Sequence, residues 1–147
     1  MRRTLVTGSG WTAFIFAVYL FLGFRPAPPQ TIGEGEICFR CRGVIANSRV
    51  AAELMDRNLP TKYKTAGCLA RYVKAHPADD QRYFVTDYVS GGLIDAGRAW
   101  FVPVVLNDRT GHRDYKAFLS RQSAESLAAS LGEIAVRWDT VLERAEP

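Results

Sequence analysis

Apolar and polar positions divide the 147-residue chain into three regimes. From Trp11 to Phe24 (WTAFIFAVYLFLGF) nearly every position is apolar, and no charged side chain stands between Arg3 and Arg25. A run of that length suits the hydrocarbon core of a bilayer, so residues 1–25 are expected to form one N-terminal transmembrane helix. Arg2 and Arg3 precede it, which places the short tail on the cytoplasmic side and exports the rest of the chain. A cleaved signal peptide is the competing reading. The residues that follow, Arg25-Pro26-Ala27-Pro28-Pro29, offer no clear small-x-small cleavage site, and no cysteine there could carry a lipid. An uncleaved signal anchor is therefore expected. Residues 26–36 (PAPPQTIGEGE) show no period and read as a Pro/Gly-rich linker.

Beyond residue 37 the pattern changes to short alternating and helical stretches. Arg49 to Met55 (RVAAELM) is a short apolar run, and Lys62 to Thr65 is a second extended piece. Leu69, Tyr72 and Val73 recur at helical spacing until Pro77 stops them. Tyr83 to Tyr88 (YFVTDY) is rich in aromatic and β-branched residues and reads as a strand. The same order then returns: Ala99 to Leu106 (AWFVPVVL), Tyr115 to Leu119 (YKAFL), a helix, and Ile134 to Trp138 (IAVRW) as the last strand. In that second helix Ala124, Leu127, Ala128 and Leu131 form one apolar stripe, with Ser120 placed to start it and Gly132 to end it. The expected fold is α+β: two ββαβ units in tandem (37–90 and 91–147) sharing one core, since neither alone can bury both its sheet face and its helix stripe.

Two local features qualify that picture. Pro103 removes a ladder donor from AWFVPVVL, so that strand belongs at an edge or carries a bulge. Val89-Ser90-Gly91-Gly92 joins the halves as a turn flanked by Asp87 and Asp95. Two carboxylates so close invite an acid–base role; hydrogen bonding to their own turn backbone explains both without it.

Charge changes less than it first suggests. The formal net charge is +4 and the pI about 9.1. Three of the 19 basic residues belong to the anchor, and no acidic residue precedes Glu34. The exported part carries sixteen basic against fifteen acidic residues, a net of +1, so the basic pI reports membrane topology and not a nucleic-acid partner. No phosphate-cradling glycine loop, nucleophilic serine motif or zinc-protease pattern occurs, and an enzyme is not expected.

The candidate chemistry is sulfur. Cys38 and Cys41 stand three positions apart in ICFRCRGVI, and Cys68 is the one further cysteine. Two cysteines separated by two residues on a turn can bring both sulfurs onto one soft ion. Cys68, in the first turn of a helix where unpaired amides favour a thiolate, is the natural third ligand. His112 would add a nitrogen from the facing unit. Three thiols without an assured fourth ligand suit low-coordinate Cu(I) better than four-coordinate structural Zn(II). Three alternatives stand beside this. A thioredoxin-type couple would need a helix after the motif, where Gly43, Val44 and Ile45 argue for extended chain. A c-type haem needs histidine where Arg42 stands. A plain Cys38–Cys41 disulfide, with Cys68 buried as a small apolar residue beside Tyr72, is the structural alternative in an oxidising compartment. Met55 reads as core filler, and His76 before Pro77 as a helix-end residue.

The CFRC motif, the AAELM strand, KTAGCL around Cys68 and above all YFVTDYVSGGLIDAGRAWFV resemble the NosL-like family over essentially the whole exported domain. Members are membrane-attached periplasmic copper chaperones in the maturation of nitrous oxide reductase. The resemblance implies two ββαβ units and Cu(I) held by cysteine and methionine sulfur, with Cys38, Cys41 and Cys68 at matching positions. Where the family carries a methionine two positions after the second cysteine, Gly43 stands. Where it carries a Pro-Met pair, the loop here reads NDRTGHRDY and offers His112. The hydrophobic anchor replaces the family's lipid-bearing cysteine.

Two functions follow as expectations. One is a periplasm-facing accessory protein of the inner membrane that passes Cu(I) to a copper-accepting enzyme. The other is a non-enzymatic accessory subunit of a membrane-bound respiratory or electron-transfer complex with a degenerate metal site. A homodimer would supply the sulfur ligands that one chain is short of.

Overall fold

The computed structural model describes residues 26–107 and 110–146. It is a mixed α+β domain with a four-stranded antiparallel sheet, a two-stranded sheet and three helices. Among the described residues no helix is long and apolar enough to cross a membrane; the apolar run 11–24, expected as the transmembrane helix, lies outside them.

Strand β1 (Ala52–Asp56) is central in the larger sheet, between β2 (Leu59–Tyr63) and β3 (Gln81–Thr86). Arg57 and Asn58 join β1 to β2, both at positive φ as a two-residue hairpin turn of this hand requires. β1 is buried on both faces, so its sequence AELMD shows no clean alternation. Ala52 and Leu54 face the main core, and Glu53 and Met55 point the opposite way. That second face is covered by residues 27–31, read from sequence as linker. There the Gln30 N–H donates to the Glu53 carboxylate (3.0 Å), Arg82 donates to the Ala27 carbonyl (2.9 Å), and Lys62 Nζ donates to the Thr31 carbonyl (3.0 Å).

Helix α1 (Ala66–Ala75) follows β2 and buries Ala66, Cys68, Leu69, Ala70 and Val73 against the sheet. Thr65 caps it by accepting from the Cys68 N–H (3.1 Å), and Pro77 follows its end. After β3 the Asp87–Gly92 turn leads to β4 (Leu93–Asp95), giving the sheet order β2-β1-β3-β4. Asp87 accepts from the Ser90 N–H (2.9 Å), the Ser90 hydroxyl (2.6 Å) and the Leu119 N–H (3.0 Å), and Asp95 accepts from the Gly97 N–H (2.8 Å). Both carboxylates serve their turns.

Strands β5 (Trp100–Asn107) and β6 (His112–Phe118) form the second sheet, with a bulge between Val105 and Asn107. The Phe101 N–H points away from β6, to the Val136 carbonyl (2.9 Å). Pro103, two residues on, has its missing donor on that same outer edge, so no ladder bond is lost. Helix α2 (Arg121–Leu131) runs between Ser120, whose hydroxyl accepts from the Ser123 N–H, and Gly132 at φ 67°. The Glu133 N–H closes onto the Ala128 carbonyl (2.9 Å), the hydrogen bond of a Schellman stop.

The expected last strand, Ile134 to Trp138, does not form. Only Val136 pairs, through a two-way bridge with Phe101, and Trp138 opens helix α3 (Trp138–Arg144). The reason is a second periodicity: Trp138, Val141, Leu142 and Ala145 recur at i, i+3, i+4 and i+7, and that stripe packs into the core. The second half is thus ββα plus a helix. One core spans both halves, with Leu54, Tyr63, Leu69 and Val85 packed with Phe101, Ala117, Trp138 and Val141. A smaller cluster of Val102, Val104, Phe118, Ala124 and Ala128 lies beneath α2.

Candidate metal centre

β2 is an edge strand, and an edge strand leaves a row of backbone groups unpaired. The segment carrying CFRCRG docks against this edge. Ile37 and Val44 pair across a hairpin, closed by Cys38 N–H to the Gly43 carbonyl (2.9 Å) and Arg42 N–H to the Cys38 carbonyl (3.0 Å). Arg42 sits at φ 59°, which turns the chain sharply after Cys41. The Phe39 N–H then donates to the Lys62 carbonyl of β2 (2.8 Å), docking the hairpin on the edge. Gly43 and the extended Val44 that follow leave no helix after the motif, so the thioredoxin arrangement is absent here.

Docking brings the three sulfurs together. The Sγ atoms of Cys38, Cys41 and Cys68 all lie within 4.8 Å of one another, and all three thiols are free. An ion with metal–sulfur bonds of about 2.3 Å in a trigonal plane would separate its sulfurs by about 4 Å, so the cluster is sized for one ion. Cys38 is fully buried, Cys68 is 7% exposed, and Cys41 faces solvent. Three soft donors, two of them sheltered and one open, can bind a metal ion of the Cu(I) or Zn(II) type.

The protonation pattern follows from the contacts. The Cys68 thiol donates to the Cys38 sulfur, and the backbone N–H groups of Cys41 and Lys64 point at it as well. Together they outweigh burial and hold Cys38 well below the ordinary thiol range. That same hydrogen bond, with burial behind it, pushes Cys68 up. Cys38 is therefore the resident thiolate and Cys68 the proton holder. Aromatic rings pack beside the sheltered thiols. Phe39 meets Tyr72 and Tyr63 edge-on (centroids 5.5 and 6.1 Å), and Tyr72 stacks on His76 at 4.4 Å. In that shell burial drives the Tyr63 phenol upward, so it stays neutral.

His112 is not one of the grouped ligands. It is exposed at the start of β6, with Nε2 3.7 Å from Asp114 Oδ2. Met55 is buried on the face of β1 opposite Leu54, where it fills space. His76 contacts the Tyr72 carbonyl through Nδ1 (3.1 Å), a helix-end contact.

Two residues that position the site were not singled out from the sequence, although a threonine just ahead of a helix is a readable cap. Thr65 caps the helix turn that carries Cys68, and its hydroxyl in turn donates to Asp114 Oδ2 (2.6 Å). Asp114 is a buried carboxylate within a strand, and a lone acid in HRDYKAF looks like any solvent-facing strand residue until the strand is docked. In comparison with known proteins, the sequence matches no protein-family model and no curated protein.

Proposed function

We propose that the protein is a metal-binding accessory protein that holds one Cu(I) ion on Cys38, Cys41 and Cys68 and passes it by ligand exchange to a copper-accepting enzyme. The observation that carries this is the convergence of three free thiols from a docked hairpin and a helix start. An all-sulfur, low-coordinate set suits Cu(I), and the absence of a fourth grouped ligand among the described residues disfavours closed structural zinc. The resemblance to NosL-like proteins supports the same direction, with nitrous oxide reductase as one such acceptor. The apolar run 11–24 after Arg2 and Arg3 supports an inner-membrane anchor with the domain in the periplasm.

The test is anaerobic reconstitution of the full chain with Cu(I) and Zn(II) in competition, read by native mass spectrometry. One Cu(I) per chain or per pair of chains, lost in Cys38→Ser and held more weakly in Cys68→Ser, is the expected result. Retention of neither ion, or of zinc in preference, defeats the proposal.

A further inference from the structure

Among the described residues nine large apolar side chains are exposed, and three of them fall within the eight residues of the Cys38–Cys41 hairpin: Ile37 (50%), Phe39 (46%) and Val44 (54%). The same hairpin carries Arg40 and Arg42, both exposed and both without an acidic partner among the described residues. The nearby Glu36 is already taken by Lys62 at 2.8 Å. Exposed apolar groups cost free energy unless something covers them, and unpaired guanidinium groups beside them select what that is. We propose that the 37–44 hairpin is the docking surface for an acidic protein partner that presents a sulfur donor to the ion at Cys41; this rests on the metal-binding reading above and names the kind of acceptor it serves.

The placement of the sulfurs gives the surface its direction. Cys38 and Cys68 are sheltered, so an incoming ligand reaches the ion from the Cys41 side, and Arg40 and Arg42 flank that residue in sequence. Phe39 is braced against Tyr63 and Tyr72, so it meets a partner already ordered and little conformational entropy is lost on docking. Transfer is then an exchange of bonds: one partner thiol gives up its proton and bonds to Cu(I) as the bond to Cys41 breaks and Cys41 takes up a proton. A second partner thiol then replaces Cys68, which takes up its proton, and Cys38, which is left as a thiolate. No electron moves.

The experiment uses the full chain in neutral detergent, loaded anaerobically with Cu(I), and two synthetic Cys-x-x-Cys peptides of equal length, one flanked by Asp and Glu and one by Lys. Copper transfer to the acidic peptide should be at least about 10-fold faster at low salt, with the gap closing as ionic strength rises. The Arg40→Glu/Arg42→Glu variant should keep its copper and reverse the preference, and Phe39→Ser should slow both peptides. Docking is read separately on the metal-free chain with peptides in which Ser replaces Cys: the acidic one alone should shift hairpin resonances. Equal rates for the two peptides overturn the proposal. So does binding to lipid vesicles that Phe39→Ser abolishes without any discrimination between peptides, which would assign the hairpin to a membrane surface. Failure to bind copper at all sinks the metal-binding reading, and the metal-free arm then decides the docking surface by itself.

Discussion

The carboxylate of Asp114, on β6, accepts the backbone N–H of Gly67, at the start of α1, at 2.8 Å across 47 residues of sequence. Its other oxygen accepts from Thr65, and its own chain supplies the Tyr115 N–H (2.8 Å). The second half of the domain thereby grips the helix turn from which Cys68 projects. The grip has no slack, because a Cβ on Gly67 would stand 2.7 Å from Asp114 Oδ2.

Gly67→Ala is therefore expected to destabilise the domain by about 1–3 kcal/mol despite alanine's better helix propensity, since backbone and carboxylate must part. Asp114→Ala should cost about as much, by leaving the Gly67 N–H and the Thr65 hydroxyl unpaired in the interior. Chemical denaturation measures both. Both should also weaken copper binding, because the Cys68 turn loses its anchor; unchanged copper affinity in a folded Asp114→Ala variant would show that the grip is purely structural.

Metal uptake should release protons. Cys38 is held down by the Cys68 thiol and by two backbone N–H groups and is already a thiolate at neutral pH, so it contributes none. Cys68 is held up by Cys38 and by burial, and must lose its proton to bind. Copper affinity should accordingly rise with pH through the neutral range, with at least about one proton freed per ion. A chelator competition followed across pH measures the slope; a flat profile would contradict the assignment.

Stability should depend on pH at two buried carboxylates, with opposite signs. Burial raises Glu53, and the Gln30 N–H only partly offsets it. Its folded value lies above the unfolded one, so its contribution is fully present below the ordinary glutamate range and is lost as pH rises through the folded value. Burial also opposes ionisation of Asp87, but donors from the Ser90 hydroxyl, the Leu119 and Ser90 N–H groups and the Val89 N–H prevail and lower it. Its contribution is present above the ordinary aspartate range and disappears as pH falls through the folded value. Glu53→Gln should flatten the stability profile between weakly acidic and neutral pH, whereas Asp87→Asn should flatten it only at the acid end. Denaturation midpoints across pH check both.

The elements that could be read in the sequence are those whose cause is local. Ser120 and Gly132 bracket α2 because a cap and a left-handed stop act on adjacent backbone, and Asp87 and Asp95 served their turns for the same reason. The CFRC spacing marked two sulfurs of the cluster. The closing strand was misjudged because IAVRW is β-branched and aromatic, while the stripe from Trp138 to Ala145 makes a helix once the core offers it a face. The packing of residues 27–31 over β1 was hidden because Pro-rich composition reads as linker, and the burial of Glu53 beneath it shows only once the chain is folded. Asp114 was illegible altogether: its partners are 47 and 49 residues away, and no pattern within one strand records them.

The most direct measurement of the central claim is the copper X-ray absorption spectrum of the Cu(I)-loaded full chain. Three sulfur scatterers per copper at about 2.3 Å, with no nitrogen, are expected, falling to two in Cys68→Ser. A shell dominated by nitrogen or oxygen, or a sulfur count that Cys68→Ser leaves unchanged, would contradict it.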